Sequence, residues 1–137
     1  VMQSDHTIVQ DRSIFEGVYV FVTNNYRRGD LSDRDYETYM ELFRNMQHMM
    51  RLPDLMIYLR MSVPALIAHI QKRGRDYEQT MQLDYLRDLN DRYEDFIRNL
   101  YKGRVLTLEA DHLDFEHNPQ DFSHVIDKID AQLFGLF

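Results

Sequence analysis

The chain contains no cysteine among its 137 residues, which removes disulfides, zinc-thiolate centres and thiol nucleophiles from consideration. Glycine and proline are sparse, at five and three, and the glycines stand singly. No Gly-x-x-x-x-Gly-Lys-Ser/Thr pattern occurs, so a phosphate-cradling loop of the Walker type is missing from these residues. No apolar run is long enough to span a bilayer, and no charged-then-apolar leader pattern is present. Those absences lead to the expectation of a soluble, cytoplasmic protein without a membrane partner. Positive charge is also scarce: 16 Lys and Arg against 23 Asp and Glu give a formal net charge of -7. A nucleic-acid polymer is therefore not an expected partner, since domains that bind one through bulk electrostatics are basic. With no Gly- or Ser-rich linker and no internal repeat, residues 1–137 are expected to form a single domain.

Against that acidic background one segment stands out. Lys72-Arg73-Gly74-Arg75-Asp76-Tyr77-Glu78 gathers three cations around a glycine and follows them with acids. Guanidinium forks suit phosphate oxygens, and a glycine lets them cluster at a bend. An acid just beyond can accept hydrogen bonds from a hydroxyl of the same ligand. Taken by itself, a basic tripeptide is equally a solvated turn between helices. The remaining histidines have no ligand-like spacing, and no metal site is expected among them.

The order of elements points to an α/β fold. Thr7-Ile8-Val9-Gln10 is a short β-branched run expected as a buried strand, ending at Asp11-Arg12-Ser13. Helical spacing of Ile14, Val18, Phe21 and Val22 predicts a helix to about Tyr26, broken by Arg27-Arg28-Gly29-Asp30. Ser32 with Asp35 resembles a capping box for a second helix that ends before Pro53. Leu55 to Arg60 and Arg104 to Glu109 are the second and third strands. Between them, Ser62 and Pro64 open one helix, and a long one runs from about Leu83 to Tyr101 with Gly103 as its cap. Asn118-Pro119 starts the closing helix. Strands separated by helical stretches imply crossovers and a parallel sheet, and the continuous apolar runs suggest coverage on both faces. The expectation is a helix-rich, incomplete parallel sheet of about three strands with flanking helices. Ligands bind such sheets beyond the carboxyl ends of the strands.

Laid out in this way, the chain resembles the deoxynucleoside kinase family, more narrowly its bacterial deoxyadenosine/deoxyguanosine branch. The resemblance rests on five segments in the family's order. They are Asp11-Arg12-Ser13-Ile14-Phe15 through Phe21, Pro53 to Arg60, Arg73-Gly74-Arg75-x-x-Glu78 with Leu83-Asp84-Tyr85-Leu86, Tyr93-Glu94, and Val105 to Leu108 followed by Asp114-Phe115. The family is a P-loop α/β kinase that moves the γ-phosphoryl of ATP, with Mg²⁺, onto the 5′-hydroxyl of a deoxynucleoside. The resemblance implies that Arg12 lies near the 5′-oxygen with Asp11 as its acidic partner; on the pair alone a strand-end salt bridge is the simpler account. It further implies that Arg73 and Arg75 close over the transferred phosphates, within a lid of about residues 72–80. Glu78 matches the acid that binds the sugar 3′-hydroxyl, although a helix-start acid meeting the dipole explains it as well without the resemblance. Phe21 matches the aromatic that stacks on the base, a position that is also ordinary core. Asp114 and Phe115 resemble the loop around the ATP adenine, and the Tyr36 to Met50 stripe reads as core and homodimer interface.

Two departures refine the expectation. Gly17 stands where cytidine-preferring members carry an aspartate, which leans the reading towards a purine; His69 stands where many members have an arginine. The family's phosphate-binding loop and general base lie in an amino-terminal part not seen in these residues. The abrupt opening, Val1-Met2-Gln3-Ser4, suggests a portion cut from something longer, and these 137 residues alone are expected to be inactive. Two other readings share part of the pattern: a thymidylate-type nucleoside monophosphate kinase, and a non-catalytic oligomerisation module.

If Glu78 reads the 3′-hydroxyl, Glu78→Gln in the full-length protein narrows the preference for deoxynucleosides over 3′-deoxy analogues, because a buried, unpaired carboxylate no longer penalises the analogue. Steady-state kinetics with both ligands measures this, and an unaltered preference removes the role.

Overall fold

The computed structural model describes residues 7–75 and 82–135. Along the chain the elements are α1 (14–28), α2 (Asp33–Gln47), β1 (Met56–Arg60), α3 (Val63–Arg73), α4 (83–100), β2 (Val105–Glu109) and α5 (Pro119–Phe134). They fall into two compact units. One comprises Val1–Leu52 and Leu83–Tyr101, the other Pro53–Gln82 and Lys102–Phe137.

The first unit is helical. Ser13, in extended backbone, accepts from the Phe15 N–H, while Glu16 reaches back to the Ser13 N–H at 2.9 Å. This reciprocal box fixes where α1 begins. The helix opens as one α-turn (Ile14–Glu16), widens into a π-helix (Gly17–Val22) and returns to α geometry (Thr23–Arg28). It ends at Gly29, whose φ of 84° is left-handed backbone that a glycine adopts without a Cβ clash. Ser32 caps α2 by accepting from the Asp35 N–H. Helix α4 also widens at its end, from α geometry at Leu83–Asp95 to a π-helix at Phe96–Leu100.

These helices meet through aromatic rings. Phe15, Tyr19, Phe43, Phe96 and Tyr101 form a continuous set, with centroids 5.4 to 6.0 Å apart and mostly edge-to-face. Phe43 and Phe96 are fully buried, with Val18 and Val20 beside them in the core. Burying such a ring contributes roughly 1.5–3 kcal/mol. The Arg28–Asp88 ion pair at 2.7 Å links α1 to α4 at the surface, where exposure limits it to at most about 1 kcal/mol.

The second unit is built on two parallel strands in the register Met56↔Val105 to Arg60↔Glu109. Ser62 caps α3 by accepting from the Ala65 N–H, Pro64 sits in its first turn, and Gly74 ends it at φ 68°. Asn118 caps α5 in the same manner, through the Gln120 N–H. At the head of β2, Arg104 donates to the Gln132 carbonyl of α5.

Three sequence expectations need correction. Residues 7–10 are not a strand and are exposed, so the sheet of the described residues has two strands rather than three. Ile8 and Val9 have the propensity for extended backbone, but a strand also needs a paired edge to satisfy its ladder. Gly103 does not cap α4. Tyr101 does, leaving the helix directly in extended backbone (φ -77°, ψ 130°), so no left-handed residue is required. Finally, the sheet is not covered throughout within the described residues: Met56 is buried, but on the opposite face Ile57 and Leu59 are 39% and 46% exposed although Leu108, paired with Leu59, is buried.

Two substitutions separate backbone from packing effects. Gly29→Ala meets no neighbouring atom within 4 Å and costs only the left-handed strain, about 1 kcal/mol. Phe96→Ala empties a fully buried site and costs about 3–5 kcal/mol. Urea midpoints of the two variants measure the difference, and comparable losses would refute it.

Candidate functional site

In the helical unit, the residues singled out from the sequence converge at the start of α1. Arg12 has φ 64°, making it the one non-glycine residue in left-handed backbone among the described residues. A non-glycine residue there is uncommon, and such conformations gather at functional sites. The turn aims the Arg12 guanidinium back over α1, where it lies 5.1 Å from the centroid of the Phe21 ring. Tyr93 of α4 meets the same ring edge-to-face at 6.0 Å. Phe21 is half-buried, so one part of the ring packs and another stays accessible. Arg12 and Asp11 are exposed.

Tyr93 had no role in the sequence reading beyond the α4 stripe and a family segment. Its phenol is raised above its ordinary pKa, chiefly by burial, with Glu16 and Asp11 adding to the rise and Arg12 opposing it. It therefore stays protonated at neutral pH and keeps an O–H to donate. The contact joins residues 72 positions apart along the chain, which no local spacing could announce.

The sheet unit carries the second group. Helix α3 delivers Lys72 and Arg73 in its last turn, and left-handed Gly74 turns the chain before Arg75. Both arginines are exposed, and neither is sealed into the core. Glu78 lies outside the described residues. Beyond β2, Asp114 accepts from the His117 ring at 2.8 Å, and its own N–H donates to Asp121 at 2.9 Å. The His117 hydrogen bond holds its carboxyl below the ordinary aspartate range, and the Lys72 charge adds to the effect. Lys72 at the end of α3 is thus electrostatically coupled to the loop that begins at Asp114. Phe115, Pro119 and Phe122, with His117, line an open concavity of about 340 Å³. An aromatic wall and polar backbone suit the face of a flat heterocycle.

A further contact bears on α3. Asp111, just past β2, accepts from the Ser62 N–H at 2.7 Å, at the point where β1 turns into α3. The Ser62 backbone bond, then its hydroxyl, lowers the Asp111 pKa. The carboxylate at the end of one strand thereby holds the start of the helix that presents Lys72 and Arg73. Among the described residues no three His, Asp or Glu groups converge into a metal cage, and no helix is long and apolar enough to cross a membrane.

The depressed folded pKa of Asp111 has a definite sign. Its contribution to stability is complete above the ordinary aspartate range, near pH 3.9, and is lost as pH falls through the lower folded value. Carboxyl ¹³C titration should give an Asp111 midpoint below the ordinary one, and Ser62→Ala should restore only part of the difference because the backbone donor remains. An ordinary midpoint in the unmodified protein would show that this bond does not form.

Comparison with known proteins agrees with these features. The deoxynucleoside kinase family model matches residues 1–134. The chain is similar to a deoxyadenosine kinase of Dictyostelium discoideum, with 41% identity over 67% of this chain and 37% of that protein. It is similar to a deoxyguanosine kinase of Lactobacillus johnsonii, with 33% identity over 95% of this chain and 62% of that one. Among solved structures, the deoxyadenosine kinase from M. mycoides with bound dATP superimposes with a TM-score of 0.70 and 29% identity, covering 88% of this chain and 60% of that one. The chain thus spans about 60% of the length of most of these relatives. A match over nearly every residue, joined to the Asp-Arg-Ser turn and the arginines at the end of α3, places this chain in the deoxynucleoside kinase family.

Proposed function

We propose that the full-length protein containing this chain transfers the γ-phosphoryl group of ATP to the 5′-hydroxyl of a deoxynucleoside, with a purine base preferred. The observation that carries the reading is the Arg12–Phe21 arrangement: a cation and an accessible aromatic face 5.1 Å apart, offered together at the start of α1. Phe21 supplies a stacking surface for the base, and Arg12 orients the 5′-oxygen. As that oxygen bonds to the γ-phosphorus, the bond to the bridging oxygen of ADP breaks, and the hydroxyl proton passes to the general base that the family carries in its amino-terminal part. Charge on the transferring group spreads over its equatorial oxygens, and the reaction needs positioning and neutralisation more than covalent help. Arg73 and Arg75 provide that neutralisation, Asp114 and Phe115 border the adenine, and Glu78 and Asp11 complete the substrate contacts.

Gly17, with open space where a Cβ would stand, supports a purine, as do relatives named for deoxyadenosine and deoxyguanosine. Mg²⁺ accompanies ATP in this reading. The described residues offer it no ligand set, so it belongs with the phosphates or with other residues. A cytoplasmic homodimer completes the proposal, supported by the exposed Tyr39 and Leu42 of α2 and Met49 just beyond it. In this reading residues 1–137 are part of a single kinase domain, with residues 72–80 as its lid.

Replacing both Arg73 and Arg75 by Ala in the full-length protein should lower kcat about 10²–10⁴-fold, the range for removing preorganised cations from a phosphoryl-transfer site. The thermal midpoint should stay in place, since both side chains are exposed. Turnover that survives the double change removes the clamp.

A further inference from the structure

The π-helical stretch of α1 follows Arg12 and contains Phe21, the two residues on which the proposed function rests. Arg12 precedes the helix, and Phe21 lies one residue from the end of Gly17–Val22. A π-turn closes i→i−5 hydrogen bonds and so takes one more residue than an α-turn. Since one helical residue corresponds to about 100° of rotation, closing the same stretch as plain α-helix would swing the side chains at its end by nearly that much. Phe21 would leave Arg12 and Tyr93 and turn to another side of the helix.

One side chain holds the wide turn from within. Thr23 shares its backbone N–H between the Val18 carbonyl, five residues back, and the Val20 carbonyl, three back, while its hydroxyl donates to the Val18 oxygen at 3.0 Å. A helical threonine ordinarily back-bonds the carbonyl three or four residues earlier. Here the N–H is divided between the i−5 and i−3 acceptors, and the hydroxyl goes to the i−5 oxygen, so it is the hydroxyl that tips the turn towards the π register. Val18 is fully buried, and its carbonyl has no competing demand from bulk water. The second π-helix of the unit lacks this device. Tyr101 closes it on Phe96 through the backbone alone, at 2.8 Å.

We propose that Thr23 is a positioning residue for nucleoside recognition: its hydroxyl locks the π-turn that holds the Phe21 ring beneath Arg12. Thr23 touches no reacting atom and acts through the azimuth of Phe21. The inference rests on the reading of Phe21 as the base-stacking ring.

The test is steady-state kinetics on the full-length protein with Thr23→Val, which keeps the branched shape and deletes the hydroxyl. Loss of one hydrogen bond's worth of register should raise KM for the deoxynucleoside about three- to tenfold. KM for ATP should be unchanged, the thermal midpoint should fall by only a few degrees, as one lost hydrogen bond implies, and Thr23→Ser, which keeps the hydroxyl, should restore the nucleoside KM. Phe21→Ala is measured alongside. If Phe21→Ala raises the nucleoside KM while Thr23→Val does not, the positioning role is overturned and the stacking reading stands. If neither changes it, the stacking reading falls and takes this inference with it. Equal losses for both ligands, or no rescue by serine, would reduce Thr23 to ordinary structure and overturn the proposal. Should Thr23→Val be too unstable to assay, Thr23→Ala is read by the same criteria.

Discussion

The ring of Phe96, with no exposed surface, is the contact on which the helical unit depends. It stacks on Tyr19 of α1 and tilts against Tyr101, which meets Phe15 edge-to-face; Phe15 in turn reaches Phe43 of α2. Each such pair contributes about 0.5–1.5 kcal/mol beyond simple burial, and the set ties three helices at one place. It also meets a geometric demand. Tyr19 lies within one π-helical stretch and Phe96 begins the other, so two widened turns face each other across the stacked rings. The aromatic core and the two π-helical turns thus meet at the same rings.

Much of this was legible in the sequence where the chemistry is local. Ser32, Ser62 and Asn118 announce helix starts because a short polar side chain can reach an N–H two or three residues on. Gly29 announces a stop because left-handed backbone excludes most other residues. The π-turns were not legible, since an extra residue per turn demands no particular side chain. Burial consequently falls on Phe15, Val18 and Val20, whereas a 3.6-residue period selected Ile14, Val18, Phe21 and Val22. The lone strand at residues 7–10 failed for the opposite reason: its propensity is local, but pairing is not.

The site divides along the same line. Arg12 and Phe21 were marked by motif, and the structure brings them together. The Phe21–Tyr93 contact and the Asp111–Ser62 bond were invisible, because each joins segments about 50 or more residues apart. Asp111 is also the better guide to how α3 is held. A carboxylate bonded to a backbone N–H at a helix start offsets the orphan donors of that end and meets its partial positive charge. Arg60 and Glu109 pair at 3.2 Å on the final register step of the sheet, so the end of the strand pair is pinned next to the residue that launches α3. Whatever Arg73 and Arg75 do at the far end of that helix, they do it from an anchored base.

The left-handed backbone at Arg12 carries an implication for directed evolution. Left-handed geometry costs a branched or long residue roughly 1–2 kcal/mol that glycine does not pay. A library selected solely for heat resistance would drift towards glycine or asparagine at that codon. Arginine that persists there against the same pressure would mark a position where the fold gives up robustness for something other than stability.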